Sequence, residues 1–230
     1  MARVVALDAL GTLVELLPPA PLLVAELRVR GVAVSECEAA AGLAAEIAYY
    51  RAHLHTAPDA SSLALLRTRC AAVLRDALTR AGAELGGLPA DDLRPALLAS
   101  LRFRPYPEVP DALRVLRRAG HRLVVVSNWD VSLHEMLRAT GLDVLVDGAV
   151  SSAEAGVAKP DPRIFARALE LVAGRADGGL HAGDSIEHDV AGARAAGLRP
   201  VLVARSGPGG GVPAGVDTIG SLAELAALAA

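Results

Sequence analysis

Apolar positions fall into two regimes along the chain. Residues 3–7 (RVVAL) form a β-branched apolar run ending at Asp8-Ala9-Leu10-Gly11-Thr12. That pattern predicts a buried parallel strand running into a loop. From about residue 20 to 101 the spacing becomes helical: Leu22, Leu23, Ala25, Glu26 and Leu27, then 43–51, then 63–81, with no convincing strand. Pro18-Pro19-Ala20-Pro21 opens this segment and Pro105-Tyr106-Pro107 closes it, and prolines mark linkers. A helical insertion between two hinges follows.

Beyond Pro107 the pattern alternates. Helices are predicted at 109–119, 131–140, 161–173, 187–196 and 220–230, and strands at 121–126, 143–147, 179–182 and 200–204. Gly120, Gly141 and Gly197 end three of the helices, Pro162 sits in the first turn of another, and 207–211 reads as a loop. Alternating strands and helices imply an α/β fold, a doubly wound parallel, Rossmann-like sheet with helices on both faces. The predicted core is 1–15 with 104–230, and the predicted all-helical cap is 16–103.

Composition narrows the function. A chain of 230 residues, 53 % hydrophobic, is one domain or a core with one insertion. With a net charge of −3 and no basic run interleaved with aromatics, nucleic acid is not an expected partner. No apolar stretch reaches about 20 residues without charges or breakers, and the N-terminal run is too short for a signal peptide, so no membrane span is expected. Cys37 and Cys70 lack metal-ligand spacing, which suits a reducing cytoplasm. A monomer or a homodimer is expected.

Ligands of open α/β sheets bind outside the carboxyl ends of the strands. The residues there are Asp8 with Gly11-Thr12, then Ser127-Asn128, then Lys159-Pro160, then Gly183-Asp184-Ser185 and Asp189. Each alone reads as turn or cap chemistry; in this order they form a set. Lys159 is the single lysine among 23 basic Lys and Arg residues. A compact, mobile point charge suits a group between a carboxylate and a phosphoryl oxygen.

The series Leu7-Asp8-Ala9-Leu10-Gly11-Thr12-Leu13, Val126-Ser127-Asn128, Lys159-Pro160-Asp161-Pro162-Arg163-Ile164-Phe165 and Gly183-Asp184-Ser185-Ile186-Glu187-His188-Asp189 resembles the haloacid dehalogenase-like (HAD) hydrolase superfamily. The likeness is to the subclass with a helical cap inserted after the first strand, and it covers nearly the whole chain. It implies a phosphatase of a small phosphorylated molecule with Asp8 as nucleophile, forming an aspartyl-phosphate. It further implies that Ser127 binds a phosphoryl oxygen and that Lys159 neutralises charge on the nucleophile and the transferring group. Asp8, Asp184 and Asp189, with the backbone carbonyl of Leu10, would hold Mg²⁺. Thr12 and Asn128 would line the phosphate loop.

One position departs from that pattern. The family's phosphatases carry a second Asp two residues after the nucleophile as acid and base, and here that residue is Leu10. The resemblance extends to a subgroup of the superfamily, the domain-containing protein 3 group, in which that Asp is also replaced. Tyr49, His53 and His55 in the cap are candidate substitutes, with surface or core roles the simpler reading of each. Leu10 also admits a metal-independent 2-haloacid dehalogenase, whose family members share the first motif. Asp184 argues against it, because carboxylates beside Asp8 repel without a cation. A third reading is a protein that binds a phosphorylated ligand or a partner without turnover.

Overall fold

A computed structural model describes residues 3–207 and 211–229. The chain divides into two compact units, Met1–Glu15 with Arg104–Ala230, and Leu16–Phe103. Short strands β2 (Val14–Leu16) and β3 (Phe103–Pro105) pair where the chain passes from one unit to the other and back.

The first unit is built on a six-stranded parallel sheet of β1 (Val4–Leu7), β4 (Arg122–Ser127), β5 (Gly148–Ser151), β6 (Leu180–Gly183), β7 (Arg199–Val203) and β8 (Asp217–Ile219). Their spatial order is β5-β4-β1-β6-β7-β8. The chain builds outward from β1 through β4 to β5, then returns to the other side of β1 for β6, β7 and β8. That reversal opens a crevice at the carboxyl ends of β4, β1 and β6, where α/β sheets bind ligands. All four residues of β1 are buried, as in a strand covered on both faces. On one face, Val4, Ala6, Val124, Val126 and Val150 pack with Ile164, Phe165, Ala168 and Val172 and with Ala193 and Leu198.

The second unit is helical: α1 (Pro19–Val29), α2 (Glu36–His53), α3 (Ala60–Arg80) and α4 (Ala90–Ser100). Ser35 and Glu38 form a capping box on α2, and Asp59 and Ser62 one on α3. A Cβ at Gly42 would lie 2.9 Å from Leu74 and Leu78, so Gly42 lets α2 and α3 pack closely. No described helix is long and apolar enough to cross a membrane.

The remaining helices are α5 (Val109–Arg118), α6 (Leu133–Ala139), α7 (Ser152–Ala155), α8 (Pro162–Leu171), α9 (Ala191–Ala195) and α10 (Leu225–Ala229). Several expectations change. The strand predicted at 143–147 is instead a 3₁₀ turn over Asp143–Leu145, and the strand is β5 at Gly148–Ser151. Val144 is 73 % exposed, so its apolar character reports no core position. The helix predicted at 187–196 opens with a wide turn, Ile186–Val190, before α9. The stretch 220–230 holds a 3₁₀ turn, Leu222–Glu224, and the short α10 rather than one continuous helix. Strands β2, β3 and β8 are too short, at three residues each, to show a period.

Candidate active site

Asp8 directly follows β1 and is held there by its own amide, which donates to the Ala182 carbonyl on β6 at 2.9 Å. Its Oδ1 accepts from Ser127 Oγ at 3.0 Å and from Lys159 Nζ at 2.6 Å. Among the described residues no hydrogen bond reaches Oδ2. Asp8 is 6 % exposed, and burial is the largest reason its carboxyl titrates above the ordinary carboxylate range, opposed by Lys159.

Lys159 lies in the loop before α8, follows Ala158 and precedes Pro160 through a cis peptide bond. Asn128 clamps its backbone: the Lys159 amide donates to Asn128 Oδ1 at 2.8 Å, and Asn128 Nδ2 donates to the Lys159 carbonyl at 3.1 Å. The ammonium also reaches Asp189 Oδ1 at 2.6 Å. Burial opposes its charge, yet Asp8 and Asp189 outweigh that and raise its pKa above the usual lysine value. So Lys159 is a buried ion bridging two buried carboxylates, the arrangement in which buried charge is tolerated.

The turn after β6 supplies the acidic groups. Ser185 amide donates to Asp189 Oδ2 at 3.0 Å, and the Val190 amide reaches the Ser185 carbonyl at 3.1 Å, closing the wide turn that folds Asp189 back toward Asp184. Such i→i+5 turns recur at functional sites. A Cβ at Gly183 would lie 2.2 Å from Asp189 Cγ, so only glycine lets that carboxylate approach. Asp8, Asp184 and Asp189 each offer a carboxylate oxygen within 4.8 Å of the others. Asp189 is held below the carboxylate range despite burial, chiefly by Lys159 and His181. Asp184 is pushed up to about 6, by partial burial first and then by Asp8 and Asp189.

The fold therefore brings together Asp8, Ser127, Asn128, Lys159, Asp184 and Asp189. Thr12 is fully buried and its hydroxyl finds no partner among the described residues. The Leu10 side chain is 38 % exposed. In the helical unit, Tyr49 and His53 stack with ring centroids 4.1 Å apart, and His53 Nδ1 lies 2.8 Å from the Tyr49 carbonyl.

His181 is a residue the sequence reading passed over. It is fully buried on β6, its Nε2 bonds Asp189 Oδ1 at 2.8 Å, and its ring meets Phe165 edge-on at 4.9 Å. Its signal was present: a histidine within the otherwise apolar strand 179–182 requires a buried partner.

A profile of haloacid dehalogenase-like hydrolases matches residues 2–197, and the chain belongs to that family. It is 45 % identical over 96 residues to haloacid dehalogenase-like hydrolase domain-containing protein 3 of Bos taurus, covering 42 % of this chain and 38 % of that protein. It is 37 % identical over 137 residues to phosphoserine phosphatase of Thermus thermophilus, covering 58 % of this chain and 53 % of that protein. The matches thus span about half, or less, of these curated relatives' own length. A solved L-2-haloacid dehalogenase from Xanthobacter autotrophicus superposes with a TM-score of 0.67 at 21 % identity, covering 99 % of this chain and 98 % of that one, a likeness of fold.

Proposed function

We propose that this HAD hydrolase is a Mg²⁺-dependent phosphatase of a small phosphorylated molecule, with Asp8 as nucleophile. The observation that carries this reading is the approach of three carboxylates to within 4.8 Å, two of them bridged by a single ammonium. Three ionised carboxylates beside one lysine leave net negative charge, and Asp184 is raised by partial burial first and then by repulsion from Asp8 and Asp189. An all-oxygen, acidic set suits a hard divalent cation. Asp8 and Asp184, with the Leu10 carbonyl, would hold it, and bound there it would polarise the phosphoryl group and offset its charge. Both oxygens of Asp189 already accept hydrogen bonds from Lys159, His181 and Ser185. Its share is therefore to fix the ammonium beside the site.

The chain's own groups divide the work as follows. Asp8 attacks phosphorus as the bond to the leaving oxygen breaks. Ser127 turns its hydroxyl from Asp8 to a phosphoryl oxygen. Lys159 stays charged and offsets the negative charge gathering on the transferring group. Asn128 keeps Lys159 in register, and Thr12 lines the loop. Water then attacks the phosphorus of the aspartyl-phosphate, releasing phosphate and restoring the carboxylate.

Leu10 supplies no proton to the leaving group. General acid–base help is worth about 10²–10⁴-fold, so aryl and acyl phosphates are expected to outrun alkyl phosphates by a factor in that range. Leu10→Asp is expected to raise the rate on alkyl phosphates and to narrow the gap. Steady-state kinetics on a matched aryl and alkyl pair would check this; an unchanged gap would mean another group already serves as acid.

Metal binding requires ionised carboxylates. With Asp184 titrating at about 6 in the metal-free protein, protons and Mg²⁺ compete there. Calorimetry should show Mg²⁺ affinity falling as pH drops through 6, with a proton released on binding near that pH. Affinity flat from pH 5 to 8 would contradict this placement.

The dehalogenase reading draws on Leu10 and the motif around it, Asp8-Ala9-Leu10-Gly11-Thr12. Hydrolysis of an aryl phosphate that requires Mg²⁺ supports the phosphatase, whereas halide release from a 2-haloacid in the presence of EDTA would replace it. Cys37 and Cys70 are not joined in a disulfide, which accords with action in the cytoplasm.

A further inference from the structure

Arg205 lies two residues beyond β7 and belongs to none of the sequence motifs, yet its side chain is 17 % exposed and engaged on every side. Nε donates to the Gly11 carbonyl at 3.1 Å and Nη2 to the Thr12 carbonyl at 2.6 Å. Nη1 donates to Glu108 Oε1 at 2.7 Å. The guanidinium lies over the Tyr106 ring, with Cζ 3.4 Å from the centroid. Glu108 is partly buried, but its bond to Arg205 holds its carboxyl below the usual range. Tyr106 adds a backbone contact, its amide donating to the Leu13 carbonyl at 3.1 Å. Arg205, Glu108 and Tyr106 thus bracket residues 11–13.

That turn touches the acidic cluster directly. Gly11 has φ +82°, and a Cβ there would lie 2.1 Å from Asp184 Oδ2. The Asp184 carboxylate rests against bare backbone, so a shift of a few tenths of an ångström in the turn moves the carboxylate or collides with it. Asp8 stands three residues upstream on the same loop. A planar fork spreads its donors over three nitrogens and so spans two successive carbonyls and a carboxylate, where a lysine offers one point of charge.

We propose that Arg205 is a positioning residue that fixes the Gly11–Thr12 turn against Asp184 and so sets the spacing of Asp8 and Asp184 before any ligand arrives. Its importance for metal and turnover rests on the phosphatase reading; its hold on the turn does not. The test compares wild type, Arg205→Met, Arg205→Lys and the control Arg199→Met. Arg199 makes a comparable set of bonds, to Asp217 and the Leu228 carbonyl, remote from the turn. Hydrogen exchange of residues 9–14, Mg²⁺ calorimetry and aryl-phosphate kinetics are read on each.

Arg205→Met should exchange residues 9–14 faster and bind Mg²⁺ about tenfold more weakly, in the range that loss of a group supporting metal ligands produces. Its kcat should fall by a similar factor, and added methylguanidinium should restore both. Arg205→Lys should recover only part of the effect. Arg199→Met should change none of these, whatever its melting temperature. Exchange in Arg205→Met equal to wild type, or equal changes in Arg199→Met, would overturn the assignment. If Arg205→Met does not fold, Glu108→Gln takes its place, with a smaller change in the same direction expected and unchanged exchange again contrary. A wild type that neither binds Mg²⁺ nor hydrolyses the aryl phosphate would sink the phosphatase reading, while the exchange comparison would still decide whether Arg205 holds the turn.

Discussion

Asp8→Asn is expected to fold normally and to lose turnover by about 10⁴-fold or more, the scale seen when a nucleophile is removed. Asparagine keeps the shape of the side chain and can still accept from Ser127 and Lys159, but its amide oxygen is a poor nucleophile. The stability change should have the opposite sign. Burial raises the Asp8 pKa in the folded protein above its unfolded value. A carboxyl so raised contributes most below its unfolded pKa, and that contribution is lost as pH rises through the folded value. At neutral pH the wild type therefore carries a cost that neutral asparagine lacks. Melting curves should show Asp8→Asn at least as stable as wild type near pH 7, with a flatter decline on the alkaline side. A variant that is both inactive and clearly less stable would mean that Asp8 serves the fold more than the chemistry.

Lys159→Met should be the most damaging substitution for stability, about 3–5 kcal/mol, the cost of breaking a buried ion pair by removing one partner. Nζ sits 2.6 Å from Asp8 and from Asp189, and both carboxylates are buried. Methionine fills most of the volume and leaves two negative charges facing each other. In wild type, Asp189 is held low by Lys159 and His181, so its contribution is present above its unfolded pKa and fades as pH falls through the folded value. In Lys159→Met the carboxylates are raised instead, and the sign reverses: the variant should be most stable in mild acid and lose stability as pH rises. Denaturant melts at pH 5 and pH 8 read this. A variant equally stable at both, or more stable at pH 8, would show that the ammonium is not the group neutralising these carboxylates.

Much of the candidate site could be read along the chain because three of its groups lie at or just after the end of a strand. Asp8, Ser127 and Asp184 are placed by where β1, β4 and β6 end, and mostly apolar strands of four to six residues mark those ends. Lys159 was legible as the single lysine. What escaped depends on pairings that sequence spacing does not encode. Arg205 meets Gly11 and Thr12 across more than 190 residues, and the proximity exists only because β7 lies two strands from β1. Strand β8 buries only Ile219 fully, too little to imprint a pattern. The run at 143–147 misled for the converse reason: its apolar residues are exposed or half-buried, and the strand forms just after it, where Val150 reaches the core.

The fold accommodates both phosphatases and dehalogenases, so the atom that Asp8 attacks decides the account. The two chemistries leave oxygen in different places. In phosphoryl transfer, water attacks phosphorus and the Asp8 carboxylate is returned with its own oxygens. In dehalogenation, the carboxylate attacks carbon and water must then attack the Asp8 carbonyl carbon to release the ester. Turnover of an aryl phosphate in ¹⁸O-water with Mg²⁺, followed by mass analysis of the phosphate and of the peptide containing Asp8, separates them. One ¹⁸O in each released phosphate and none in the Asp8 peptide is the predicted result. No Mg²⁺-dependent phosphate release, together with ¹⁸O appearing in Asp8 on a 2-haloacid in EDTA, would contradict it.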